Sequence, residues 1–104
     1  MSAVLVITNL PNREAAVRLG EKLVESGMAA CVNVLAPCRS IYHWQGKIES
    51  AEEVPVLIKT VTERYPAVEM LIREHHSYEL PEIIQVPITD GLPGYLDWVE
   101  KETR

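Results

Sequence analysis

With 104 residues, 47% of them hydrophobic and 24% charged, the chain suits one domain around one modest core, spanning residues 1–104. A net charge of −5, with its 10 Lys and Arg dispersed, lacks the basic footprint that phosphate backbones demand and argues against nucleic acid as a partner. No apolar run approaches the roughly 20 residues of a membrane span, and the N-terminus has neither a basic region nor a signal-peptide apolar run; a cytoplasmic protein without a membrane partner is expected.

In chain order, Ala3 to Ile7 is a continuous apolar run, the mark of a central strand covered on both faces. Pro11-Asn12 opens a helix with Asn12 as N-cap, Ala15, Ala16, Leu19 and Leu23 recur at helical spacing, and Gly27 stands where a closing glycine belongs. Met28 to Thr60 then reads as one long β-hairpin. Its first arm holds Ala29 to Leu35 and Arg39 to Trp44, turns at Gln45-Gly46, and returns from Lys47 to Thr60. Each arm, if extended, reaches roughly 45–50 Å at about 3.3 Å per residue. A domain of this length is only roughly 33 Å across. The hairpin must bend or project, and a projecting hairpin needs another chain to pack against. Thr62 to His76 predicts a second helix with Val68, Leu71, Ile72 and His75 on one face and Pro66 in its first turn. Pro81 to Ile88 alternates as a fourth strand, Asp90 to Gly94 forms a loop, and Tyr95 to Glu102 is a short closing helix with Leu96 and Val99 inward.

This β-α-β-β-α-β order with a terminal helix is an α+β, ferredoxin-like plait with an extended central hairpin. Both helices lie on one sheet face, and the bare opposite face again favours oligomerisation. Within the hairpin, Trp44 should face Lys47 and Arg39 should pair with Glu52 across the strands. Pro37 opposite Val54 and Ala36 opposite Pro55 bring two prolines to one level, where a bend or bulge is expected. Ser40, Tyr42 and Trp44 share one face of the tip, Arg39, Ile41 and His43 the other; Tyr42 and Trp44 are residue types of interface hot spots. Cys31 and Cys38 lie on the same arm, roughly 23 Å apart if it is straight. A bridge needs Cα atoms within about 7 Å, so reduced, buried thiols are expected.

His75-His76-Ser77-Tyr78-Glu79 is the one dense cluster with chemical potential. Adjacent helical residues diverge by about 100°, yet at a fraying helix end two imidazoles can turn to one copper, zinc or nickel ion. Helix capping by histidine explains the same residues structurally, and ligand binding is a third reading. Enzymatic readings fare worse. Cys31 and Cys38 lie mid-strand, Glu49, Glu52 and Glu53 read as a solvated hairpin surface, and the Asp90 to Gly94 segment is no phosphate-cradling loop. An acid/base set of His76, Tyr78 and Glu79 in an intersubunit cleft stands last, so a non-enzyme is expected.

Ala30-Cys31-Val32-Asn33, Ser40-x-Tyr42-x-Trp44-x-Gly46-x-Ile48, Lys59-Thr60, His76-x-Tyr78-Glu79-x-Pro81-Glu82-Ile83 and Tyr95-Leu96-x-Trp98 together resemble the CutA divalent-cation-tolerance family over nearly the whole chain. The resemblance implies a homotrimer of ferredoxin-like subunits, related in shape to PII-like signalling proteins. Its long hairpins would pair between neighbours through Ile41, Tyr42, Trp44 and Ile48. It also implies a role in tolerance of copper and other divalent cations, with Cu(II) held by His75 and His76. The projecting hairpin together with the histidine cluster makes intersubunit clefts near Trp44, Lys59, His76, Tyr78 and Glu79 the expected site for a metal or small ligand. Some members add a cysteine at the end of the first strand, a position that Thr8 fills here, and Ser77 stands where the family usually has proline. A PII-like small-molecule sensor is the alternative function.

Overall fold

The computed structural model describes residues 2–104. Five strands and three helices follow in the order β1 (Ala3–Leu10), α1 (Arg13–Glu25), β2 (Cys31–Val34), β3 (Cys38–Trp44), β4 (Lys47–Val61), α2 (Tyr65–His75), β5 (Ile83–Pro87) and α3 (Pro93–Glu102). The sheet is antiparallel in the order β2-β4-β1-β5, and β3 pairs with the far end of β4. This is the expected plait. Among the described residues no helix is long and apolar enough to cross a membrane.

Alternation builds the core. Val4, Val6 and Leu10 of β1 and Val54, Val56 and Ile58 of β4 point to one face, where they meet Ala16, Leu19 and Leu23 of α1 and Val68, Leu71 and Ile72 of α2. The Asn12 side chain caps α1 by accepting from the Ala15 N–H at 2.9 Å. Gly20 lets α1 approach the sheet, since a Cβ there would lie 3.0 Å from Val32 Cγ1. The apolar run of β1 is not covered on both faces along its length. Only at one end does α3 close the second face, through buried Val99 against Ala3, Ala30 and Val61. Leu5, Ile7 and Leu57 stay half-buried on that face, and Ile84 and Val86 are exposed.

Two helix starts and one side chain depart from expectation for local reasons. A short 3-10 turn over Thr62–Arg64 precedes α2, because Pro66 cannot donate and belongs in the first helical turn. Pro93 opens α3 two residues before the expected start, again as a first-turn proline. His75, expected on the buried face of α2, is exposed and its Nδ1 bonds the Leu71 carbonyl at 3.0 Å.

The hairpin turn has Gln45 at φ 50° and Gly46 at φ 79°, both in the left-handed region that two-residue hairpin turns require. Trp44 opposes Lys47 and Arg39 opposes Glu52, as expected. The ion pair does not form: Arg39 instead donates to Ser50 Oγ at 3.2 Å. Nearer the core the register changes. Val34 opposes Val56 while Cys38 opposes Glu53, so the first arm spends one residue more than β4 between these pairs. This is the bend anticipated at the two prolines, and it splits the arm into β2 and β3. Both cysteines are free; Cys31 is half-buried, but Cys38 is exposed, because β3 starts beyond the helices' cover. The molecule measures 44 × 26 × 24 Å, and its radius of gyration of 14.2 Å exceeds the ~13 Å of a compact chain this long.

Candidate functional site

A cleft of about 830 Å³ opens where the hairpin bends away from the body. One wall is the hairpin face carrying Ser40, Tyr42, Trp44, Ala51 and Glu53, the other is the segment Tyr78 to Glu82, and Asn9 of β1 lies between. Strand periodicity explains the first wall: Ser40 opposes Ala51 and Cys38 opposes Glu53, so alternate residues of β3 and their partners on β4 share a face.

The second wall is held by hydrogen bonds. His76 leaves the helix in extended conformation, its Nδ1 accepts the Tyr78 N–H at 3.1 Å, and its ring lies 4.5 Å from that of Tyr78. An Nδ1 that accepts must be unprotonated, so Nε2 carries the hydrogen and donates to the Asn9 carbonyl. The Asn9 side chain donates in turn to Glu82 Oε1 at 3.1 Å. Both imidazole nitrogens of His76 are therefore occupied in pinning the segment. His75 keeps only Nε2 free. Among the described residues no group of three or more His, Cys, Asp or Glu side chains is arranged to hold a metal ion.

Of the residues named from the sequence, Ile41, Tyr42, Trp44, Tyr78 and Glu79 line the cleft. Lys59 does not. It opposes Cys31 and Leu5 on the open sheet face, and its ammonium donates to Asn33 Oδ1. Thr8 faces the core, fully buried, with its hydroxyl unpaired. Ile41 and Ile48 are 72% and 70% exposed at the hairpin tip.

Glu53 is the residue that sequence reasoning missed. Expected on a solvated surface, it lines the cleft at 8% exposure. The available signal was position: it sits at the level of the two prolines, where the ribbon folds against the body. Glu53, Glu79 and Glu82 give the cleft three carboxyl groups, and among the described residues no Lys, Arg or His lines it. The Tyr78 hydroxyl responds to these surroundings. Its pKa lies above the ordinary 10.0, chiefly through burial, then through a hydrogen bond to Glu53 and the charge there, with a smaller contribution from Tyr42. At the far end of the sheet, burial and then the neighbouring Cys31 raise Tyr95.

A family model described as CutA1 divalent ion tolerance protein matches residues 4–102. The divalent-cation tolerance protein CutA of Thermus thermophilus is 39% identical over 103 residues, covering 99% of each chain. Protein CutA, chloroplastic, of Arabidopsis thaliana is 36% identical over 98% of this chain, which spans 56% of that relative's length. The periplasmic divalent cation tolerance protein CutA of Archaeoglobus fulgidus superposes with a TM-score of 0.94 at 35% identity, covering 98% of this chain and 99% of that one. The names of these relatives include compartments other than the cytoplasm. Motif order, strand topology and full-length similarity agree, and the chain belongs to the CutA1 divalent ion tolerance family.

Proposed function

We propose that residues 1–104 act as the single-domain subunit of a non-enzymatic homotrimer of the divalent-cation tolerance type, whose clefts take up a metal ion or a small ligand at subunit boundaries. The observation that carries this reading is the cleft itself. It is acid-lined and aromatic-walled, and one wall belongs to a hairpin whose outer residues, Ile41 and Ile48, have no cover from their own chain. Apolar surface of this kind, joined to the open sheet face of Leu5, Ile7, Ile84 and Val86, calls for a second copy. The relatives' names supply the link to divalent cations.

Within this reading Cu(II) has two routes. His75 offers Nε2 directly, whereas His76 must first release Asn9 or Tyr78. Carboxyl oxygens of Glu53 and Glu79 suit harder divalent ions. Lys59, remote from the cleft of its own chain, joins a site only across a subunit boundary. Isothermal titration with Cu(II) and Zn(II) of the wild type, His75→Ala/His76→Ala and Glu53→Gln/Glu79→Gln separates the routes. Equal binding by all three proteins removes metal from the reading. Mass by light scattering tests the assembly, and a protomer mass at micromolar concentration removes the trimer.

A further inference from the structure

We infer that the occupant of the cleft is an organic ammonium ion bearing a flat or apolar group; this rests on the cleft being a ligand site and names the ligand's class. Charge comes first. Glu53, Glu79 and Glu82 line the cavity with no basic side chain among the lining residues. Glu53 is more than nine-tenths buried, and among the described residues neither ion pair involves it. Its polar neighbour in the cavity is the neutral Tyr78 hydroxyl, which solvates a carboxyl group without neutralising it. A buried carboxyl group lacking a counter-charge is costly, and a bound cation removes that cost.

The walls then select among cations. Tyr42, Trp44 and Tyr78 present aromatic surface, which attracts a cation within about 6 Å of a ring centroid and packs flat against an apolar substituent. A bare metal ion gains little from such walls, and no set of three ligating side chains converges among the described residues. Size agrees. About 830 Å³ lies within the range of small-molecule sites and far exceeds what an ion and its ligands occupy. An anion would meet three carboxyl groups.

Three probes of matched shape test the class on the full chain in its native assembly: phenethylammonium, the neutral 2-phenylethanol and the anionic 3-phenylpropionate. The readout is the Trp44 indole and Tyr78 amide signals in ¹H–¹⁵N spectra. The ammonium should shift these signals saturably, the alcohol should bind about tenfold or more weakly, and the carboxylate should leave them unmoved. Glu53→Gln should weaken the ammonium about tenfold, and so should raised salt on the wild type, which needs no variant to fold. If 3-phenylpropionate binds as well as the ammonium, as it would if a neighbour's Lys59 already supplies the charge, the inference is overturned while the cleft remains a ligand site. Equal ammonium binding by Glu53→Gln overturns it equally. If none of the three probes and no divalent metal moves the cleft signals, the ligand-site reading fails with it.

Discussion

From Val54 to Val61, β4 alternates fully buried and half-buried residues beneath α1 and α2, whereas from Lys47 to Glu52 the same strand is almost wholly exposed. Both halves are continuous ladder, but Val54 to Val61 is mostly apolar whereas Lys47 to Glu52 is mostly polar and charged, with Ile48 its large apolar exception. Ile58 is 0% exposed and Ile48 is 70% exposed, ten residues apart on one strand. Ladder hydrogen bonds alone give a two-stranded ribbon only marginal stability in water. The proximal half therefore owes its order to its own helices, and the distal half has no such cover within its own chain. The cleft lies at the junction, where Glu53 is the last residue drawn into the body before the strand emerges.

The largest effect should separate these halves. Ile58→Ala removes methyl groups from a closed core and should cost about 2–5 kcal/mol of unfolding free energy, read from urea midpoints at fixed protein concentration. Ile48→Ala should cost no more than about 0.5 kcal/mol within the protomer, since an exposed side chain leaves no cavity. Within the proposed trimer, pairing it with Ile41→Ser should instead lower the assembly mass and lower the midpoint more at low protein concentration than at high. Similar, concentration-independent losses for Ile58 and Ile48 would erase the distinction between the halves.

A smaller pair of changes sharpens the proximal half. Thr8 and Thr60 are both fully buried, but Thr60 Oγ1 donates to the Met28 carbonyl at 2.7 Å while Thr8 Oγ1 has no partner. Thr60→Val should destabilise by about 1–2 kcal/mol, because a partly buried carbonyl loses its donor. Thr8→Val discards a hydroxyl that gains nothing in the fold, and should stabilise by up to about 1 kcal/mol. Thermal midpoints of the two variants should move in opposite directions. Loss of stability in both would mean that the Thr8 hydroxyl has a hydrogen-bond partner in solution, such as a buried water.

How much of this was legible follows from what each feature depends on. Periodicity and turn chemistry are local, so the strands, the helices and the tip register from Trp44–Lys47 to Arg39–Glu52 could be read directly. Pro37 and Pro55 marked the level of the bend, since neither donates to the ladder. The direction of the register change was not legible, because counting back from the turn cannot say which arm takes up the extra residue. The site was read less well, since cleft walls come from segments distant in sequence. Tyr78, Glu79 and Trp44, named from the sequence, lie on the walls of this cavity. Glu53 was not so named, because burial of a charged strand residue depends on a loop 25 positions later folding over it. For His76 the sequence leaves metal binding, a structural role at the helix end and ligand binding open, and its bond to the Asn9 carbonyl, 67 residues earlier in the chain, is a contact that local pattern does not reveal.

The smallest expected effect probes the junction through pH. Tyr78 has its pKa raised above 10.0, first by burial, then by its hydrogen bond to Glu53 and the charge there, and last by Tyr42. The folded state thus holds the phenolic proton more tightly than the unfolded chain does. Its contribution to stability is fully present below about pH 10 and is lost as pH rises through the folded pKa, because the unfolded tyrosine ionises first. Tyr65 and Tyr95 are shifted in the same direction, so wild-type stability should fall on the alkaline side with all three contributing. Tyr78→Phe should remove its share of that fall and should also lower stability near neutral pH, because buried Glu53 loses the hydroxyl that hydrogen-bonds it. Glu53→Gln should bring the Tyr78 titration, followed by tyrosinate absorbance, back toward the ordinary value without abolishing the shift, since burial is the larger cause. An unmoved Tyr78 titration in Glu53→Gln would dissolve the coupling between hairpin and loop on which the junction's chemistry depends.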